Sequence, residues 1–232
     1  MPIPDLSNKP GPGRPGWGPT GSYDFQFEVA AGQVGITVLP RVNGLRFTIK
    51  WQDGTEQAIT EPKTNLQSPT TQAGIISINN EQLDSTWCDD FAVASGKQFV
   101  TKVISWGQNP WNRLASAFQG CVNLITVEKS KFFSDTTLDV SNLFNGCTGL
   151  TSVDFSEWSV TGFVSGQDMF KDCTALEAFK LKGSIKFANA SSNNYWFRNA
   201  GTSTGCLFDI SNLSFVGSTG NQGNVQGWFY DA

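Results

Sequence analysis

At 232 residues the chain is long enough for one large domain or two small ones. Its net charge of −4, with 16 Lys and Arg against 20 Asp and Glu, lacks the basic excess that phosphate recognition demands, so no nucleic-acid partner is expected. No apolar run approaches the ~18 residues of a membrane span, and Pro2 and Pro4 stand where a signal peptide would carry a charged and then an apolar stretch. Neither membrane insertion nor a secretory signal is therefore expected.

Residues 1–20 hold six of the ten prolines and four glycines, a composition in which neither a helix nor a central strand forms. A linker would fit this composition. An extended arm lying on a partner fits it too, with Ile3, Leu6 and Trp17 as apolar anchors and Arg14 as a polar one, and the Trp favours the arm.

Residues 21–104 read as a β domain. Phe25-Gln26-Phe27-Glu28-Val29 and Phe47-Thr48-Ile49-Lys50-Trp51 alternate apolar and polar residues, the period of half-buried strands. Gly35–Val38 and Ile75–Ile78 resemble further strands, and Asp53-Gly54 signals a hairpin from the strand at 47–51 to one at 57–60. Short strands with Gly, Pro and Asn punctuation predict a small sandwich. Residues 61–73 read as an exposed loop, and the carboxylates of Glu81 to Asp90 as a solvated turn or short helix.

Residues 105–232 are repetitive. Phe118-x-Gly-Cys121-x-x-Leu124 returns as Phe144, Cys147, Leu150 and as Phe170, Cys173, Leu176, in two equal steps of 26. A fixed period of this length marks stacked supersecondary units. Trp196-Phe197 and Trp228-Phe229 repeat the motif in weaker form, with Ala200 and Ala232 in the cysteine slot, so about five coils are expected. Each coil is predicted to place a strand at Leu-x-x-Val (124–128, 150–155, 176–181) and a short helix ending at Phe-x-Gly. In the first coil Trp111, Leu114, Ala115 and Phe118 fall on one helical face.

Five cysteines without Cys-x-x-Cys spacing could form a metal or redox site, but alanine in the same column favours core packing. Side chains in register on adjacent coils point the same way and do not converge as a disulfide requires, so Cys121, Cys147 and Cys173 are expected to be free thiols. The absence of histidine removes Ser-His-Asp and Cys-His nucleophiles and His-containing zinc sites. Paired carboxylates remain, Asp89-Asp90 and Asp154 with Glu157, yet neighbours on a strand point to opposite faces. No catalytic residue, cofactor or metal is expected. The insertions 189–194 and 217–224 map to loops, which in solenoids often line a binding face, and Tyr195 and Tyr230 beside them are candidate surface contacts.

An aromatic residue twelve positions ahead of Phe-x-Gly-Cys-x-x-Leu resembles the BspA-type leucine-rich-repeat surface proteins over roughly residues 99–232. Phe47–Thr55 is similar to a strand and turn of the immunoglobulin-like (PKD-type) domain that often precedes such repeats. The resemblance implies an immunoglobulin-like sandwich followed by a leucine-rich-repeat solenoid of strand-plus-helix coils. With the Pro-Gly arm, the layout most resembles virion proteins of tailed phages. That implies a non-catalytic structural or attachment protein, assembled in the host cytoplasm and bound to other virion proteins through its arm, which displays the repeats to a host-surface protein or glycan. A bacterial surface or cytosolic binding module is the alternative, and an enzyme acting on carbohydrate a remote one.

Overall fold

A computed structural model describes residues 25–32, 35–42, 47–59, 65–80, 88–107, 111–181, 184–187, 195–202, 207–209 and 214–217. The amino-terminal part contributes β1 (Phe25–Val29), β2 (Thr37–Val42), β3 (Phe47–Lys50), β4 (Glu56–Ile59), β5 (Leu66–Gln67), β6 (Gly74–Asn80) and β7 (Cys88–Ser95). All of these pair antiparallel, β5-β2-β7 in one sheet and β1-β6-β3-β4 in another. The Asp53-Gly54 turn joins β3 to β4 in the register Phe47↔Ile59 to Lys50↔Glu56, with Gly54 at φ 84. Asp53 Oδ1 accepts from Thr55 N at 2.9 Å and from Thr55 Oγ1 at 2.6 Å, which holds the turn closed.

After the 3-10 turn Lys97–Phe99 comes β8 (Val100–Trp106), the hinge strand of the architecture. One edge of β8 pairs antiparallel with β1 (Phe25↔Trp106) and the other pairs parallel with β9 (Thr126–Val127), in register Lys102↔Thr126. From β9 onward every pairing among the described residues is parallel. β11 (Ser152–Phe155), β13 (Ala178–Leu181) and β15 (Leu207–Asp209) extend the same sheet to nine strands. A second sheet of four strands is built from β10 (Phe132–Asp139), β12 (Trp158–Ser165), β14 (Ser184–Phe187) and β16 (Ser214–Gly217). Thr126↔Ser152↔Ala178 and Phe132↔Trp158 are 26 residues apart, so between these layers the sequence period is the register of the ladders.

The expected fold is corrected on one point. The two antiparallel sheets of the amino-terminal part are compatible with the expected immunoglobulin-like sandwich, and the nine-stranded mixed sheet continues from there into the repeats. The coils, however, do not pair a strand with a helix. Among the described residues the only helix-like element is the turn at Lys97–Phe99, and each coil holds two strands and a chain of tight turns. The segment 114–121 shows why. Ala117, Gln119 and Cys121 donate their N–H groups back to Leu114, Ser116 and Phe118 at 3.0–3.1 Å. The alternate residues Ser116, Phe118 and Gly120 donate forward to Ser141, Leu143 and Asn145 of the next coil at 2.8–3.0 Å. An α-helix would consume all these donors internally and leave none for the neighbour.

Size gives the same answer. A helix with its side chains is ~10 Å wide, whereas parallel strands stack ~4.8 Å apart. The rings of Phe118, Phe144, Phe170 and Phe197 follow one another at 5.9, 5.5 and 5.2 Å, with interplanar angles of 6°, 16° and 3°. At that step a turn fits and a helix does not. The turns need left-handed residues, since a type II turn has positive φ at its third position. Ser116, Asn142, Asp168 and Tyr195 occupy one such slot at φ 60°, 56°, 55° and 62°. Gly120, Gly146, Asp172 and Asn199 occupy the second at 75°, 76°, 58° and 56°.

One hydrophobic core runs from Phe25 to Ala200. The Phe column continues into the amino-terminal part, where Phe27 and Phe91 each lie 5.9 Å from Phe118. Val93 of β7 donates to Ala117 O at 2.9 Å, extending the turn ladder by one layer. β1 and β7 thus cover the first coil on two sides and serve as the cap that a stack of repeats requires.

Candidate interaction surface

The repeat columns are interior. Phe118, Cys121, Leu124, Phe144, Cys147, Leu150, Phe170, Cys173, Leu176 and Phe197 are all buried, and Phe229 lies outside the described residues. Cys121, Cys147 and Cys173 are free thiols. Cys147 Sγ donates to Phe118 O and Cys173 Sγ to Phe144 O, each at 3.1 Å, so each thiol ties its coil to the one before. Burial pushes the Cys147 thiol up to about 12 and the other two well above their usual range, which disfavours the thiolate needed for metal binding or nucleophilic attack. Among the described residues no cluster of three His, Cys, Asp or Glu could hold a metal.

The carboxylates singled out from the sequence serve the coil corners. Asp154 Oδ1 accepts from Ser156 N at 2.9 Å, and Glu157 pairs with Lys129 Nζ of the preceding coil at 3.1 Å. The backbones of Asp89 and Asp90 lie in β7, not in a turn or helix. Their side chains lie outside what is described.

One column of turn residues grows more charged from the first coil to the fourth. At the turn corner the column Gln119, Asn145, Lys171, Arg198 runs from neutral to cationic, beside the left-handed column that ends in Asp172 and Asn199. Asn199 Nδ2 donates to Asp172 Oδ1 at 2.7 Å across the layer, and Arg198 Nη2 reaches Asp168 Oδ1 at 3.2 Å. The Arg198 guanidinium lies 5.0 Å over the Tyr195 ring. Tyr195 is half-buried, and it holds a left-handed slot that Ser, Asn and Asp fill elsewhere. Sequence reasoning singled out Tyr195 but missed Arg198 and Asp168, which stand 30 residues apart in neighbouring layers. Small polar residues in the 116, 142 and 168 column were the signal that could have placed the turn.

On the outer face of the long sheet, Lys102 Nζ meets Glu128 Oε1 at 3.0 Å, and this hydrogen bond and charge raise the lysine's pKa. Thr126 and Ser152 hydroxyls lie 2.9 Å apart. Val122 and Ile125 are exposed nearby. Ile3, Leu6, Arg14, Trp17 and Tyr230, with the insertion 189–194, all lie outside the described residues. Of the insertion 217–224, only the backbone of Gly217 is described.

The fold defines a stack of two-stranded β coils mounted on an antiparallel β cap. Compared with known proteins, the chain matches no family model, no curated protein and no solved structure.

Proposed function

We propose that this chain is a non-enzymatic structural and attachment protein of a phage particle. Residues 1–20 dock it to other virion proteins, the antiparallel part serves as a mount, and the coil stack is presented outward to a host-surface protein or glycan. The observation that carries the reading is β8. Antiparallel to β1 and parallel to β9, it makes mount and stack one continuous sheet, which suits a rigid display element. The carboxylates nearest to a glycosidase pair are engaged in turn closure and in an ion pair, which favours a scaffold over a catalyst. The motif resemblance to displayed surface proteins and the Pro-Gly arm supply the particle.

Laying a proline-rich arm on a partner costs less ordering entropy than a flexible tail would. Trp17→Ala, or deletion of residues 2–19, is therefore expected to release a folded protein from the particle. The check is mass spectrometry of purified particles, with circular dichroism of the released chain. Truncated protein present at wild-type copy number would move the attachment surface to the mount. Absence of the full-length chain from particles would leave a bacterial binding module as the better reading.

A further inference from the structure

The turn corner of the second coil carries Asn145-Gly146, where the other layers carry Gln119-Gly120, Lys171-Asp172 and Arg198-Asn199. Asparagine ahead of glycine readily loses its amide, because glycine has no side chain to shield its backbone nitrogen. The Gly146 nitrogen attacks Asn145 Cγ and the new N–C bond closes a succinimide. The Cγ–Nδ2 bond breaks and ammonia leaves, taking up the Gly146 proton. Water then opens the ring at either carbonyl, giving aspartate or isoaspartate. At Gln119 the same attack would need a larger ring, and the remaining corners lack the amide.

The fold holds every group in that step. Gly146 N donates to Lys171 O of the third coil at 2.8 Å, so the nucleophile is committed to the next layer. Asn145 Nδ2, in the leaving amide, donates to Asn142 Oδ1 at 2.8 Å. Asn145 N donates to Asn142 O at 3.2 Å, and Asn145 O accepts from Gly120 N of the first coil at 2.8 Å. Both residues are half-buried, so water reaches the corner. We propose that Asn145-Gly146 is a latent deamidation site, locked by the third coil and released when that layer lifts. The isoaspartate product does not re-form the ladder. It lengthens the main chain by one methylene ahead of the carbonyl that accepts from Gly120 and the nitrogen that donates to Lys171. The site thus records an opened stack and keeps it open.

The test follows Asn145 in the full-length protein by peptide mapping, with electron-transfer fragmentation to separate isoaspartate from aspartate, beside amide exchange of Gly146. Both reactions need the Gly146 N–H free, so deamidation of the folded protein is expected to be at least about a hundredfold slower than in urea. Phe170→Ala removes the third-coil ring stacked on Phe144 and should speed it about tenfold. Urea below the unfolding transition should accelerate deamidation and Gly146 exchange of the wild type together. Asn142→Gly removes the partner of the leaving amide but leaves the nucleophile locked, and should keep the wild-type rate. Deamidation of the folded wild type at the unfolded rate overturns the lock. So does a rate unmoved in Phe170→Ala shown to be folded by circular dichroism, or urea that speeds exchange alone. Release by Asn142→Gly assigns the lock to the side-chain bond and overturns the role of the third coil. Isoaspartate protein refolded from urea is expected to lose protection at Gly120 and Gly146, and wild-type protection there overturns the one-way step.

Discussion

Phe144→Ala is the most informative single perturbation. The ring is fully buried, stacked between Phe118 at 5.9 Å and Phe170 at 5.5 Å, with Phe155 and Trp106 each at 6.3 Å. Burial of the side chain contributes ~2–3 kcal/mol. Two stacked partners add ~0.5–1.5 kcal/mol each. The sum agrees with the ~3–5 kcal/mol that truncating a buried phenylalanine costs, so a loss of about 4 kcal/mol is expected. Urea unfolding followed by tryptophan fluorescence measures it, with half-buried Gln119→Ala as a control expected within about 0.5 kcal/mol of wild type. The double variant with Phe170→Ala should show coupling of ~0.5–3 kcal/mol, since the two rings touch. A loss below about 1 kcal/mol, or strict additivity, would refute the ring column as the axis of the core.

Two further outcomes are expected. Asn142→Val should cost ~1–2 kcal/mol, because its slot at φ 56° excludes a β-branched side chain, whereas Asn142→Gly should be near neutral; urea midpoints decide between them. The raised thiols make folding proton-linked. The folded state keeps the Cys147 proton up to about pH 12 against an ordinary value of 9.0, so this stability is fully present below pH 9 and is lost as pH rises through 12. Cys147→Ala should flatten the alkaline decline by ~1.4 kcal/mol per pH unit, and identical slopes would contradict the buried thiol.

The legible part of the fold was whatever recurs in the interior. Phe, Cys and Leu at a fixed step exposed the coils, because each buried position must be filled again one layer on. The same step gave the strands at 152–155 and 178–181, and Asp53-Gly54 gave its hairpin. The turn segment misled because Trp111, Leu114, Ala115 and Phe118 are all buried, as one helical face would be. Successive three-residue turns bury the same spacing. What distinguishes the two is the column Ser116, Asn142, Asp168, short polar residues suited to positive φ and poorly suited to a helix interior. The second sheet was missed although Phe132-Phe133 and Trp158-Ser159-Val160 carry strand-forming residues. Their aromatics read as core markers alone. The Arg198–Asp168 pair had no local signature, since only the stacking of layers brings the two together.

The architecture rests on coils that hydrogen-bond forward through their turns. Scalar couplings across hydrogen bonds, measured by NMR on the isotope-labelled protein, detect donor and acceptor directly. The expected couplings join the Phe144 nitrogen to the Met169 carbonyl carbon and the Gly146 nitrogen to that of Lys171. Couplings from Phe144 to the Val140 carbonyl and from Gly146 to that of Asn142 would be the α-helical pattern, and would contradict the architecture outright.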